Sequence, residues 1–287
     1  MTIARILAPL TGGTRDATVL ASAFAAAKPF NAHVIALFVR PDPAEAMPFF
    51  GEGVSSTVAQ EIIDAAKEAA DEAATTARTS LAAAARDAGA AVTSVPERGS
   101  LSASWREAQG NFADQVVQAS LLSDLVVFGP LSERDKPGLT EAFEAALLET
   151  GRPILLTAQA PAANLARKIA IGWNGSTSSA HAVIAALPFL AKAGAIEILT
   201  VGKHMEGDAR TEDLGEYLTL HGMKAAQSPV EPGARGVGEA LLEAAAKSGA
   251  SMLVLGGYGH TRLREMLAGG VTRHVVSHAD IPLFLVH

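Results

Sequence analysis

The stretch RILAPLTGGTRDATVLASAFAAAKPFNAHVIALFV, residues 5–39, decides the fold because it recurs later in the chain. The second copy, KIAIGWNGSTSSAHAVIAALPFLAKAGAIEILTV, occupies residues 168–201, at an offset of 163 without a gap. Each copy contains an apolar run, a turn with Gly and Ser or Thr, an Ala-rich segment and a second apolar run. Two apolar runs that flank a helical segment predict a strand–helix–strand unit.

The repeat resumes further along the chain, where SDLVVFGP (123–130) matches ASMLVLGG (250–257). GRPILLTA (151–158) then matches ADIPLFLVH (279–287), with a Pro near the start of each apolar run. The offset has fallen to 127 at the first of these matches, so the first copy is 36 residues longer in its middle.

Most of the extra length reads as one long helix over residues 55–88. It begins with Ser and Thr, contains almost no helix breakers and is followed by Gly89. Its Ala content is compatible with a helix that binds a partner. A helix that packs across its own sheet is the favoured interpretation.

Each copy alternates five strands with four helices, which predicts an α/β fold with a parallel sheet and right-handed crossovers. The short Pro- and Ala-rich stretch at 160–167 reads as a linker. We therefore predict two tandem domains, one over residues 1–160 and the other over residues 165–287.

Composition excludes several classes of function. The chain has 287 residues, a net charge of −7 and no Cys. Disulfides, zinc thiolate sites and Cys nucleophiles are therefore excluded, and the acidic balance argues against nucleic-acid binding. The chain shows neither a signal peptide nor an apolar run of about 18 residues. We expect a cytoplasmic protein that does not cross a membrane.

A glycine-rich stretch, GGYGHTRLREMLAGGVT at 256–272, follows the apolar run SMLVLG and is the candidate binding site. Its glycines are spaced Gly256-x2-Gly259-x9-Gly269 and lead into a helix, so backbone N–H groups can line a concavity that favours phosphate. The loop after the first strand of the same copy, residues 173–176, is predicted at the same crevice. A tight turn without any ligand explains the glycines equally well.

This spacing resembles the nucleotide-binding signature of the universal stress protein superfamily, Gly-x2-Gly-x9-Gly followed by Ser or Thr, and the tandem repeat resembles its two-domain members. The resemblance implies a Rossmann-like fold, similar to the adenine nucleotide alpha hydrolases, with a five-stranded parallel sheet in each domain. It also implies that the final strands of the two domains pair in an intramolecular pseudo-dimer. The implied function is a regulatory or protective module of the stress response that binds an adenine nucleotide.

The resemblance, carried over residue by residue, together with the residues beside its signature, gives eight candidate positions for nucleotide binding in the second copy. They are Asn174, Val201, Gly256, Gly259, His260, Gly269, Gly270 and Thr272. Two depart from the family pattern: Gly270 stands where the family has Ser or Thr, and Asn174 stands where it has Asp. ATP, ADP and AMP all stay open as ligands, as does another phosphorylated small molecule. His260 has two equally weighted roles, contact with phosphate or a hydrogen bond to the backbone.

The first copy departs further from the pattern. Thr11 occupies the Asp position, Gly129 alone survives from the glycine signature, and Pro130 removes an amide donor. We predict no nucleotide there, so this copy is a structural partner or a site for something else.

Other sequence patterns give weaker evidence of a functional site. His274 and His278 have a zinc-compatible i, i+4 spacing without a third ligand, so a solvated helix face is favoured and no metal site is predicted. Trp173 is expected to pack rather than stack on a base. No nucleophile elbow, P-loop or dinucleotide-binding G-x-G-x-x-G occurs.

No catalytic residue is assigned from the sequence. Three alternatives stay open: slow ATP hydrolysis, a nucleotide-free scaffold that acts through protein partners, and a homodimer.

Overall fold

The computed structural model describes residues 2–42, 56–131, 137–160, 164–201, 209–234, 236–257 and 270–287. Strands and helices alternate through both copies of the repeat. The first repeat contains β1 (Arg5–Leu10), α1 (Asp16–Ala27), a 3-10 turn (Lys28–Phe30), β2 (His33–Arg40), α2 (Ser56–Ala88), β3 (Ala91–Val92), β4 (Ser102–Gln109), α3 (Phe112–Ser120), β5 (Leu125–Phe128), α4 (Pro137–Glu149) and β6 (Ile154–Leu156). The second repeat contains β7 (Ile169–Trp173), α5 (Thr177–Leu190), β8 (Ile196–Val201), α6 (Thr211–Leu220), β9 (Ala225–Val230), α7 (Val237–Ser248), β10 (Met252–Gly256), α8 (Gly270–His278) and β11 (Leu283–Val286).

The strands form one sheet of eleven, in the order β3-β4-β2-β1-β5-β6-β11-β10-β7-β8-β9. Neighbouring strands are parallel except β6 and β11, which run antiparallel with Leu156 opposite Leu283 and Ile154 opposite Leu285. The final strands of the two repeats therefore join the two sheets, which confirms the α/β fold class and the intramolecular pseudo-dimer. The second repeat has the five strands expected. In the first repeat the two-residue strand β3 adds a sixth at the outer edge of β4.

The central strands are buried on both faces, because helices cover the sheet on each side. Their side chains accordingly form near-continuous apolar runs rather than alternating ones, as in β5 and β11, whose residues are all buried. Three aromatic rings pack where the repeats meet. The centroids of Phe30 and Phe189 are 5.0 Å apart, and those of Phe189 and Phe284 are 5.8 Å apart, with the rings edge to face in both pairs.

Helix α2 is described from Ser56, within the predicted span of 55–88, and ends at the predicted residue. Its buried positions are Ala74, Ala77, Leu81 and Ala85, all in the carboxyl-terminal half and spaced by three or four residues, so one stripe faces the core. No residue of 57–72 is buried. The second half of the helix therefore packs on its own repeat, in agreement with the favoured interpretation. Among the described helices, none combines the length and apolar character that a membrane crossing needs.

Candidate functional site

The carboxyl ends of three neighbouring strands form the candidate site in the second repeat. Strand β7 lies between β10 and β8 and is parallel to both. The chain passes from β7 to β8 on one side of β7 and later returns to β10 on its other side. The strand order therefore reverses at β7, and ligands of open parallel sheets bind at such a switch point. We call this place the second-repeat crevice and define it by Trp173, Asn174, Val201 and Gly256. Val201 and Gly256 are half-buried and Asn174 is exposed.

The turn after β7 engages the side-chain oxygen of Asn174. Its Oδ1 accepts hydrogen bonds from the Ser176 backbone N–H at 3.2 Å and from the Ser176 hydroxyl at 2.7 Å. The Ser176 Oγ in turn caps α5 by accepting from the Ser179 N–H at 3.3 Å. Gly175, between them, has φ +76°, a left-handed conformation that favours glycine. Because its oxygen is already used, Asn174 can meet a ligand as a donor, through its NH2 group.

Trp173 is held by the chain that leads into α6. Its indole Nε1–H donates to the Ala209 carbonyl oxygen at 3.2 Å, and the Ala209 N–H donates to the Gly175 oxygen at 3.3 Å. The hydroxyls of Thr200 and Thr211 lie 3.0 Å apart in the same region. Trp173 is 5% exposed, so it is a packing residue, as predicted, and its ring is not free to stack on a base.

Gly256 lies where β10 meets the first turn of α5. A Cβ atom at this position would be 2.5 Å from the Ser178 carbonyl carbon and 2.5 Å from the Ser179 nitrogen, which are backbone atoms. A side chain is therefore excluded by close approach of strand and helix. The next residue, Gly257, is less restricted: its Cβ would be 3.4 Å from the Leu147 side chain. The packing requirement at Gly256 exists with or without a ligand.

The remaining predicted site residues follow Gly257. Gly259, His260 and Gly269 lie outside the described residues. Gly270 is the first residue of α8, and Thr272 is half-buried in its first turn. The structure thus brings Asn174, Val201 and Gly256 to one edge of the sheet and puts Gly270 and Thr272 in the first described turn of α8.

The equivalent crevice in the first repeat is occupied by its own side chains. The Asp16 carboxylate, 2% exposed, accepts from the Thr11 N–H at 3.0 Å and from the Gly12 N–H at 2.8 Å. Arg15 fills the space beside β5, where its Nη1 donates to the Pro130 oxygen at 3.0 Å. The backbone donors of this turn therefore already have an internal anion as their partner.

Helix α2 covers this turn from outside. A Cβ on Gly12, which has φ +75°, would lie 2.5 Å from the Ala73 Cβ of α2. Arg40, at the end of β2, binds Asp71 of α2 at 2.6 Å and also binds Glu107 of β4. The Arg40 guanidinium lowers the pKa of Glu107 below its usual range. The turn after β1 is therefore covered, whereas Asn174 in the matching turn of the second repeat is exposed. The prediction of no nucleotide in the first repeat rests on this covering as well as on the lost glycines.

Sequence reasoning missed the two residues that close the first crevice, Arg15 and Asp16. A signal existed at the offset of 163, because Arg15 and Asp16 stand where the second repeat has Ser178 and Ser179. Two charged side chains replace two small hydroxyls at the start of the same helix. The covering by α2 had no such signal, since it joins residues about 60 positions apart.

The two histidines with zinc-compatible spacing interact with each other. The rings of His274 and His278 are stacked with centroids 4.3 Å apart, and Nδ1 of His278 is 2.9 Å from the His274 carbonyl oxygen. Within the described ranges, no group of three or more His, Asp or Glu residues is placed to hold a metal ion.

Comparison with known proteins gives a family match and several structural matches. The model of the universal stress protein family matches residues 125–287, more than half of the chain. The search of curated proteins found no match to this chain. A universal stress protein from Archaeoglobus fulgidus DSM 4304 is 17% identical with a TM-score of 0.65, over 98% of this chain and 95% of that one.

Two proteins from Pseudomonas aeruginosa also match along the whole chain. A putative universal stress protein from strain UCBPP-PA14 is 14% identical with a TM-score of 0.56, over 99% of this chain and 93% of that one. A functionally unknown protein from strain PAO1 is 15% identical with a TM-score of 0.55, over 99% of this chain and 92% of that one. At these identities the likeness shows a shared fold.

Proposed function

The chain belongs to the universal stress protein family, and from that premise we propose that it is a regulatory or protective module of the stress response that binds one adenine nucleotide. The observation that carries the proposal is the difference between the two crevices. The turn after β7 leaves Asn174 exposed beside the ends of β8 and β10. The matching turn after β1 is closed by Asp16, Arg15 and α2.

In the proposed complex, Asn174 donates a hydrogen bond from its NH2 group to the nucleoside, and the backbone at Val201 flanks the base. Gly270 and Thr272, in the first described turn of α8, are proposed to lie beside the phosphates. Gly259 and Gly269 are assigned to the phosphates by the family resemblance, and His260 contacts either a phosphate or the backbone; these assignments remain predictions.

The two departures from the family pattern set the expected preference among nucleotides. Gly270 lacks the hydroxyl that the resemblance implies, and one hydrogen bond to a charged group contributes about 1.5–3 kcal/mol. A loss of this size weakens binding roughly 10- to 150-fold. Since the missing hydroxyl belongs to the phosphate signature, ATP is affected most and AMP least. We therefore expect ADP or AMP to compete well with ATP.

The alternative is a nucleotide-free scaffold that acts through protein partners. Two observations favour it: the side-chain oxygen of Asn174 is used inside its own turn, and packing against α5 alone requires Gly256. Under this alternative the crevice retains the geometry of the fold without a ligand.

The discriminating experiment has two parts. Freshly purified protein is denatured and the released small molecules are identified by mass spectrometry, and the stripped protein is then titrated with ATP, ADP and AMP. Recovery or saturable binding of an adenine nucleotide supports the proposal. An empty protein that binds none of the three supports the scaffold. Sustained phosphate release from ATP during the titration would add a hydrolytic activity.

A matched pair of variants tests the position of the site. Asn174→Ala removes the proposed donor and is expected to weaken binding about 2- to 10-fold, the effect of one neutral hydrogen bond. Asn164→Ala is the control, because the Asn164 Oδ1 accepts from the N–H two residues later at 3.0 Å, as in the Asn174 turn, but away from the crevice. Equal affinities for both variants would mean that the nucleotide binds elsewhere.

A further inference from the structure

A row of polar side chains lies near the amino ends of the strands in the first repeat, whereas both crevices lie at carboxyl ends. His33 begins β2, and Ser102 and Ser104 lie near the start of the neighbouring strand β4. Nδ1 of His33 is 2.9 Å from the Ser102 hydroxyl oxygen, and Nε2 is 2.9 Å from the Ser104 hydroxyl oxygen. We call these three residues the His–Ser row. Both ring nitrogens of one histidine are thus bonded to serine hydroxyls.

The hydrogen bonds of the His–Ser row fix the position of the imidazole proton. The Ser102 hydroxyl is 3.2 Å from the Ser100 carbonyl oxygen, which can only accept, so the single proton of Ser102 points there. Ser102 therefore accepts from Nδ1 of His33, which carries the proton of the neutral ring. Nε2 is then an acceptor, and the Ser104 hydroxyl donates to it. No other assignment satisfies all three contacts.

The surroundings of His33 keep its ring neutral and in place. His33 is 8% exposed, and Ser102 behind it is 1% exposed. Desolvation by burial is the larger cause that lowers the pKa of His33 below its ordinary value, and the charge of Arg5 on the adjacent strand β1 is the smaller one. A general base must be unprotonated at the working pH and within hydrogen-bond reach of the proton that it takes. Nε2 of His33 meets both conditions at the Ser104 hydroxyl.

Ser104 is the member of the His–Ser row that solvent reaches most easily, because it is half-buried whereas the other two are buried. The short strand β3 pairs with β4 only at Ser102 and Ala103, so its ladder stops just before Ser104. Arg106 follows two residues later on the same face of β4 and is exposed. Its positive charge on this face favours the negative charge that develops when a hydroxyl attacks a carbonyl group.

The second repeat shows that the fold does not require the His–Ser row. The strand registers place Ala195 where the first repeat has His33, and Ala226 where it has Ser104. Neither alanine side chain makes a hydrogen bond, yet β8 and β9 pair in parallel as β2 and β4 do. The pairing of the strands therefore does not account for the histidine and the serine.

We propose that Ser104 is a nucleophile with His33 as its general base, and that the first repeat slowly hydrolyses small activated carboxylic esters. A hydroxyl bonded to a base, which a third group orients, is the arrangement of serine nucleophiles. Here the third group is Ser102, a positioning residue. This activity is independent of nucleotide binding in the second-repeat crevice.

The reaction has two steps, and each proton has a defined place. Oγ of Ser104 forms a bond to the carbonyl carbon of the ester, and its proton passes to Nε2 of His33. The bond between that carbon and the alcohol oxygen then breaks, and Nε2 returns the proton to the leaving oxygen. In the second step water attacks the acyl carbon and gives a proton to Nε2, which passes it to Oγ as the carboxylic acid departs.

The test uses the full chain and p-nitrophenyl acetate. Absorbance follows the release of p-nitrophenolate, and mass spectrometry of proteolytic peptides locates the acetyl group. A burst of about one p-nitrophenolate per chain, with the acetyl group on Ser104, is the expected result. The burst should slow as the pH falls through the pKa of His33, because a protonated Nε2 cannot take the proton. Acetyl groups on other residues with none on Ser104 would overturn the proposal.

Four variants separate the roles. Ser104→Ala and His33→Gln are each expected to slow the burst about tenfold or more. Ser248→Ala is the control and should react like wild type, because the Ser248 hydroxyl is also half-buried but donates to the Ala245 carbonyl oxygen at 2.8 Å. Ser102→Ala should slow the burst and move its pH midpoint down, since the protonated ring loses the acceptor for its Nδ1–H. A burst of wild-type rate in Ser104→Ala would refute the proposal, whatever the stability of the His33 variant.

Discussion

Gly256→Ala tests the close contact between β10 and α5 that shapes the second-repeat crevice. The added Cβ would lie 2.5 Å from the Ser178 carbonyl carbon, 2.5 Å from the Ser179 nitrogen and 2.8 Å from the Ser178 oxygen. Non-bonded carbon atoms are most stable at about 3.5–4.0 Å. Since all three neighbours are backbone atoms, no side-chain rotation relieves the overlap, and the strand end and the helix must separate by roughly 1 Å.

The cost of this separation is the cost of overpacking, about 1–3 kcal/mol in the free energy of unfolding. For a chain of this size, each kcal/mol lowers Tm by roughly 2–4 °C. Moving the end of β10 away from α5 also moves the start of the glycine-rich stretch. We therefore expect weaker nucleotide binding together with the lower stability.

Urea unfolding followed by circular dichroism, with nucleotide titration in parallel, measures both effects. Gly257→Ala is the matched control because its Cβ meets the Leu147 side chain at 3.4 Å and no atom closer, so its stability is expected within about 0.5 kcal/mol of wild type. A Gly256→Ala protein as stable as Gly257→Ala would refute the close approach that the structure describes.

Three further predictions concern the first repeat. At Gly12, which has φ +75°, an added Cβ would lie 2.5 Å from α2, whereas at Gly89, which has φ +72°, it would meet open space. Chemical denaturation is therefore expected to show that Gly12→Ala loses about 1–3 kcal/mol more free energy of unfolding than Gly89→Ala. Equal losses would contradict the covering by α2. Burial, and secondarily the charge of Arg5, lowers the pKa of His33 below 6.5. The free energy of unfolding of the wild type should therefore fall as the pH drops below about 6.5, and His33→Gln should lose that dependence. Parallel stability–pH curves for the two proteins would disprove this prediction. Hydrogen bonding to Arg40 lowers the pKa of Glu107, so its stabilisation is present above the unfolded pKa near 4.5 and disappears as the pH falls through the folded value. Glu107→Gln should therefore be less stable at pH 7 but converge with wild type in acid, and a constant difference across that range would refute the assignment.

The fold was predictable because the sequence contains two copies of one pattern and because the apolar residues in each copy follow the spacing of strands and helices. The long helix predicted over residues 55–88 is described as α2 from Ser56 and ends at the predicted residue. The two-residue strand β3 escaped prediction, since two residues carry no periodicity and pair with β4 only once α2 has returned the chain to the sheet edge. Packing partners distant in sequence, such as Gly12 and Ala73, depend on tertiary structure that local patterns do not specify.

The candidate site was predictable in its position but not in its hydrogen bonding. Strand order alone brings Asn174, Val201 and Gly256 to one edge. The engagement of the Asn174 oxygen by Ser176 arises from the turn itself, and the sequence Asn-Gly-Ser is typical of such turns. Asn174 was interpreted as a substitute for a family Asp, and the turn makes it a donor where an Asp would accept. That difference follows from side-chain geometry within three residues.

The number of adenine nucleotides bound per chain tests the central claim most directly. The claim is that the second-repeat crevice, where Asn174 is exposed, binds a nucleotide and that the first crevice is closed by Asp16, Arg15 and α2. Native mass spectrometry of the stripped full chain, saturated in turn with AMP, ADP and ATP, counts the bound molecules. One nucleotide per chain is the predicted result, with a smaller bound fraction in Asn174→Ala than in wild type at a nucleotide concentration near the wild-type Kd. Two nucleotides per chain, or none at any concentration, would contradict the claim.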